Sequence, residues 1–347
     1  MSTTKRIEYI DALRGFTMIL VVVYHMSATM FNVTEETTSY SNYLFQFRMP
    51  LFFFISGFVF FKKERIWDFA NTCSFIMKKF KVQILSTAIF FILLLHIEDI
   101  SLTEGLFSRY KNGYWFTVTL FEFFLLHIAL EQGCKLLKLK NIATDIIIFI
   151  IGIVFFKIHK IMLMLGVSDN IMRLIGIPQW EFFSYFIFGV LAHKYYTTFE
   201  HILDNGILVT LCILAYFLLN IYQDAYIPAS LHKNLCMIIY GYTGIIIVFA
   251  IFRKYRDRFK KENTLGKSLQ FIGRRTLDIY LLHFFFMPKE RMQILPILDE
   301  INMPLIEFGC SMLLAAMVIS GCLIVSSAIR LSPQLAHYLF GAKKEYK

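Results

Sequence analysis

Residues 308–329 read FGCSMLLAAMVISGCLIVSSAI, a stretch without one charged side chain. A helix crosses the hydrocarbon of a bilayer in about 20 residues, so this run has the length and character of a complete transmembrane span. The same ruler marks ten apolar segments along the chain, at 12–32, 43–61, 82–97, 114–131, 143–159, 178–194, 205–223, 234–252, 270–288 and 304–330. Together they predict an all-α polytopic membrane protein of about ten transmembrane helices. Composition excludes the soluble alternative. The chain is 57% hydrophobic and 17% charged, with a mean hydropathy of +0.59, where a soluble domain carries about 25% charge. One aqueous core has no room for that much apolar surface, and lipid must take the excess.

The net charge of +10 does not read as a nucleic-acid surface. The basic residues lie in short clusters between apolar runs: KKER (62–65), KKFK (78–81), KLLKLK (135–140), RKYRDRFKK (253–261) and KKEYK (343–347). With the N-terminus inside, all of these fall in one set of loops. The other set holds scattered cases such as Arg109, Lys111, Arg173, Lys233, Lys289 and Arg291. Cytoplasmic loops collect lysine and arginine, so both termini are expected in the cytoplasm and the protein in the cell membrane, crossing it many times. The first run carries internal charges and no small-residue cleavage site follows it, so it is expected to stay as a helix. No linker, internal repeat or second composition breaks the chain, which predicts a single domain over 1–347. The stretch KIHKIMLMLGVSDNIMRLIGIPQW (157–180) is apolar yet interrupted, the pattern of a re-entrant or interfacial segment. The six cysteines are scattered, with no CxxC pair, and are expected to be packed thiols rather than metal ligands.

Ionisable residues inside spans are costly and mark function by default. IDALRGFTMILVVVYHM (10–26) places Asp11, Arg14 and His25 in or beside the first span. Arg14 and His25 are eleven residues apart, about three helical turns, so they share one face roughly 16 Å apart along the axis. Asp11 lies one turn before Arg14, within pairing reach. FRMPLFFFISGF (47–58) opens the second span with Arg48, puts Pro50 in its first turn, and offers Ser56 and Gly57 for close helix approach. MKKFKVQ (77–83) places Lys78 and Lys81 at the cytoplasmic mouth of the third span. YWFTVTLFEFFLLH (114–127) carries Trp115, Glu122 and His127, and IGRRTLDIYLLHFFF (272–286) carries Arg274, Arg275, Asp278 and His283. Each has a plain structural alternative: a snorkelling arginine, a packed histidine, the ordinary cytoplasmic bias of lysine, an interfacial aromatic belt. A second intramembrane histidine strengthens the case for a polar cavity between helices.

Taken together and in order, these stretches resemble the acyltransferase 3 family, integral-membrane enzymes that move acyl groups, often acetyl, onto extracytoplasmic sugars and related acceptors. DALRG with a histidine beyond it is similar to the family's first-span signature, RMPLFFFISGF to its second, YWF to its fourth, and TLDIYLLH to its late pattern ending in histidine. The resemblance covers nearly the whole chain. It implies an acyl-CoA co-substrate, no permanently bound cofactor or metal, and a glycan or lipid-linked sugar acceptor, with no nucleic-acid partner. It implies His25 and Arg14 as the catalytic pair, His25 acting on the acceptor hydroxyl as base or carrying the acyl group itself. Lys78, Lys81 and Trp115 would bind the donor, and Asp11, Arg48, Ser56, Glu122 and His283 would support the acceptor side or orient the base. Many members carry two arginines three apart where this chain has Lys78 and Lys81. Lysine meets a phosphate as a point charge without arginine's bidentate fork.

A secondary transporter is the competing class, since it too buries arginine, histidine and glutamate. Against it, the two halves of the chain carry no matching pair of Gly/Pro-broken spans. A non-catalytic scaffold has less reason to keep Arg14 and His25. No GxSxG and no zinc-ligand spacing occurs, so a serine hydrolase or metalloenzyme has nothing behind it.

Overall fold

The computed structural model describes residues 8–31, 41–226, 229–288 and 303–342, and all regular structure among them is helical. In chain order the helices are α1 (Glu8–Phe31), α2 (Ser41–Leu44), α3 (Arg48–Phe60), α4 (Phe69–Lys79), α5 (Ser86–Ile97), α6 (Leu102–Phe107), α7 (Trp115–Leu136), α8 (Asn141–Val154), α9 (Ile158–Met164) and α10 (Asp169–Ile175). They continue as α11 (Phe183–Lys194), α12 (Tyr196–Asp204), α13 (Gly206–Tyr226), α14 (Ala229–Lys254), α15 (Thr264–Arg274), α16 (Thr276–Leu282), α17 (Pro304–Ile329) and α18 (Pro333–Phe340).

Among the described residues, five helical stretches are long and apolar enough to cross a membrane: Glu8–Phe31, Phe69–Ile97, Asn141–Met164, Leu235–Lys254 and Pro304–Ile329. Two bent pairs, Asp169–Ile175 with Ile177–Lys194 (58°) and Tyr196–Asp204 with Gly206–Leu219 (73°), bring the number to seven if each is one span. The protein is a multi-pass membrane protein. The interrupted stretch noted at 157–180 enters the first bent pair. Its break is Gly176, at φ +89°, a left-handed cap whose N–H closes on the Met172 and Arg173 carbonyls.

Three expected spans differ in form. The second is a helix of only 13 residues, α3. The ninth, 270–288, breaks at Arg275 (φ −110°, ψ 16°), which separates the amphipathic α15 from the apolar α16. Hydropathy sees apolar residues on both sides of that break and cannot see the change of direction. The third begins at Phe69, where Asp68 caps it by accepting from the Asn71 N–H at 2.7 Å. The basic patch therefore lies on the helix rather than before it. Between α4 and α5 the helix widens to a π-turn over Phe80–Leu85, and the Ser86 hydroxyl just after it donates to the Lys81 and Tyr338 carbonyls at 3.5 and 3.3 Å.

The chain divides into two compact units, one of residues 1–55 and 197–325, the other of residues 56–196 and 326–347. In the first, α1 packs on α15 with backbone close against backbone at two glycines. A Cβ on Gly15 would lie 2.0 Å from the Leu269 carbonyl oxygen, and one on Gly273 would lie 1.8 Å from that of Asp11. Only glycine on both helices allows this approach. Tyr9, Phe54, Phe199 and Phe249 complete an aromatic cluster nearby. In the second unit, Gly57 meets the Phe186 carbonyl in the same manner, at 1.9 Å for a built Cβ. Around it Phe60, Phe123, Phe124, Phe183 and Phe186 form a core of stacked and edge-on rings.

Candidate functional site

The first unit holds Asp11, Arg14, His25, Arg48 and His283. On α1, Arg14 Nη2 donates to the Thr276 hydroxyl at 3.1 Å, and that hydroxyl donates onward to the Gly273 carbonyl at 3.4 Å. Three turns later the His25 ring lies 5.3 Å from the His283 ring, centroid to centroid. The late motif TLDIYLLH thus meets the first-span motif twice, its threonine at Arg14 and its histidine at His25. The order is the same on both elements, so they run parallel. Eleven residues of α1 advance about 16 Å, while seven residues from 276 to 283 advance about 10 Å. The long arginine side chain spans the difference.

Arg48 flanks the same place. Its guanidinium lies 3.5 Å from the centre of the Tyr24 ring, and Nη1 donates to the Phe45 carbonyl at 2.6 Å. Tyr24 precedes His25 on α1, its ring edge-on to that of His25 at 5.6 Å. Arg48 is buried, as is Asp11, whose carbonyl is the one that Gly273 approaches. Deeper along the span, the Ser27 hydroxyl bonds that of Ser311 on α17 at 2.9 Å, both side chains fully buried.

The second unit holds Ser56, Lys78, Lys81, Trp115 and Glu122. Ser56 is its first residue, beside the Gly57 crossing. Trp115 opens α7 and stacks on Phe182 at 5.5 Å. Glu122 Oε2 accepts from Trp180 Nε1 at 2.9 Å. Its carboxylate lies against Gly176, where a Cβ would sit 2.8 Å from Oε2. Lys111 is no solvated loop charge. It is buried, with φ +43°, and its ammonium donates to the carbonyls of Leu106, Arg173 and Leu174 at 3.0, 2.9 and 3.4 Å. It ties the end of α6 to the end of α10. Burial pulls its pKa below the ordinary lysine range, and the charge of Glu122 acts against that. Lys78 and Lys81 are exposed, while Lys79 turns inward over the Phe124 ring at 4.6 Å.

Sequence reasoning named neither Thr276 nor Trp180 as a partner and read Lys111 as a peripheral charge. The signal for Thr276 was present, since it heads the late motif. Nothing in spacing marks Lys111, because a lysine that caps carbonyls and one that faces water look alike in a string. No group of three or more metal-ligating side chains occurs among the described residues.

Fold and site define a multi-pass membrane protein whose first span carries an arginine and a histidine, each met by a residue of one late helix. A family profile described as an acyltransferase domain (Acyl_transf_3) matches residues 7–325, and the chain belongs to the acyltransferase 3 family. It is a membrane acyltransferase. No curated protein and no solved structure matches it.

Proposed function

We propose that the protein transfers an acyl group, acetyl in the simplest case, from acyl-CoA on the cytoplasmic side to a hydroxyl of a glycan or lipid-linked sugar outside the cell membrane. His25 is the general base. A neutral imidazole offers a lone pair suited to take a hydroxyl proton as the oxygen attacks a thioester carbonyl. The C–O bond forms, the C–S bond breaks, and the proton passes from His25 to the departing thiolate. Arg14 stands toward the cytoplasmic end of the same face and orients the donor. Lys78 and Lys81 supply positive charge for the donor's phosphates, and Trp115 a flat apolar wall. Ten spans with both termini inside give Arg14 and His25 their two depths. Acyl-CoA is made in the cytoplasm and such glycans lie outside, so a residue pair at two depths suits the reaction.

The observation that carries this reading is the double pairing of α1 with α16, Arg14 to Thr276 and His25 to His283. It supports the reading by holding a guanidinium and an imidazole on one face of one helix. The test is transfer from radiolabelled acetyl-CoA to native-host membranes by protein carrying His25→Ala. Label on the acceptor is expected to vanish while the variant still elutes as a monodisperse, membrane-extracted protein. Transfer at the wild-type rate would overturn the base assignment.

A further inference from the structure

We infer that His283 is a positioning residue that accepts a hydrogen bond from the far ring nitrogen of His25 and so sets which nitrogen of His25 serves as base. The inference rests on the base reading above and adds to it a partner with one defined protonation state.

The geometry begins with the backbone. His283 ends α16 and opens a short 3-10 turn, His283–Phe286. Its Nδ1 lies 3.0 Å from the Ile279 carbonyl oxygen and 2.8 Å from that of Tyr280. Both neighbours are acceptors only, so Nδ1 must carry the proton. The neutral ring then has one open function, the lone pair on Nε2. That atom is buried and has no hydrogen-bond partner among the described residues, in a side chain that is 0% exposed. A buried polar atom left unpaired is destabilising, a cost that a working partner removes.

His25 is the group beside it. Two imidazoles joined by one N–H···N bond have centroids roughly 5 Å apart, the bond length plus two ring radii. The observed separation is 5.3 Å, with the planes at 42°, a spacing that such a bond requires, and the bond forms once the two rings turn into line. Apo enzymes commonly hold catalytic hydrogen bonds long or misaligned until substrate binds. Phe284, edge-on to His25 at 5.3 Å, offers no competing acceptor.

The consequence is a division of labour. With its far N–H given to His283, His25 presents a lone pair to the acceptor hydroxyl. When it takes the hydroxyl proton, the imidazolium holds one N–H toward the reacting oxygen and the other on His283 Nε2. The thiolate that leaves takes the first proton back, and His283 ends as it began, protonated on Nδ1 alone.

The test uses full-length protein in membranes with radiolabelled acetyl-CoA. His283→Phe keeps a flat ring and removes the acceptor; kcat is expected to fall by about 100-fold or more with the KM for acetyl-CoA unchanged and the acid limb of the kcat–pH profile displaced. His283→Gln returns an acceptor oxygen and is expected to recover much of that loss. The double variant with His25→Ala should be no slower than His25→Ala alone, as for groups acting as one unit. Wild-type kcat and pH profile in His283→Phe would overturn the inference while leaving the base reading intact, whereas an active His25→Ala would strike the base reading itself. If His283→Phe is not extracted folded, 15N NMR of histidine-labelled wild type decides. The resonance lost in His283→Gln must show the proton on Nδ1, and a proton on Nε2 overturns the inference.

Discussion

Adding one methyl group at Gly273 is expected to cost the enzyme both stability and activity, and the close approach of the two helices sets the size of the effect. The Cβ of Gly273→Ala would lie 1.8 Å from the Asp11 carbonyl oxygen and 3.0 Å from the Gly15 nitrogen. Both atoms are backbone of α1, so no side chain can swing aside. A carbon and a carbonyl oxygen approach no closer than about 3.3 Å, so α1 and α15 must part by roughly 1.5 Å. Over-packing of this kind costs about 1–3 kcal/mol, occasionally more. The same movement stretches the 3.1 Å bond from Arg14 to Thr276, since Arg14 adjoins Gly15 and Thr276 is three residues beyond Gly273. Thermal unfolding of the purified protein in detergent should show a clear fall in Tm, and acetyl transfer should fall with it. A cycle sharpens the test. Gly15→Ala puts its Cβ 2.0 Å from the Leu269 carbonyl oxygen of the same partner helix. One parting of the helices relieves both clashes, so the double variant should lose less stability than the two single losses added. A Gly273→Ala protein with wild-type Tm and activity, or strictly additive losses, would refute the reasoning.

Two further outcomes are expected. Thr276→Val keeps the shape of the side chain and removes the oxygen that Arg14 bonds; kcat for acetyl transfer should drop by roughly 10-fold through misplacement of the guanidinium, and Thr276→Ser should restore it. Lys111→Met leaves the Leu106, Arg173 and Leu174 carbonyls without their shared donor and should lower stability by about 1–3 kcal/mol, read as a lower Tm in detergent.

Much of this was legible from the sequence, for physical reasons that differ by residue. A span such as α17 is read from composition because lipid imposes a length and forbids charge. Arg14, His25, Arg48 and His283 stood out because each violates that rule. What the string hides is direction. Residues 270–288 are apolar enough for a span, yet the backbone turns at Arg275, and that turn is what presents Thr276 to Arg14. The fate of Lys111 depends on where the ends of α6 and α10 arrive, a matter of tertiary structure. Gly15 and Gly273 are legible as small residues, but their mutual approach appears only when both helices are placed.

The π-turn over Phe80–Leu85 has a consequence for how such a chain changes over generations. A π-turn holds one residue more than the α-helix around it, and each residue of an α-helix turns the chain by about 100°. The widened turn absorbs that extra residue, so loss of a single codon inside it would restore ordinary pitch and leave Lys78 and the residues of α5 on the faces they already present. The widened turn works as an adjustable joint in the gene as well as in the fold. It lets the chain gain or lose one residue between the basic patch and the membrane helix without re-aiming either.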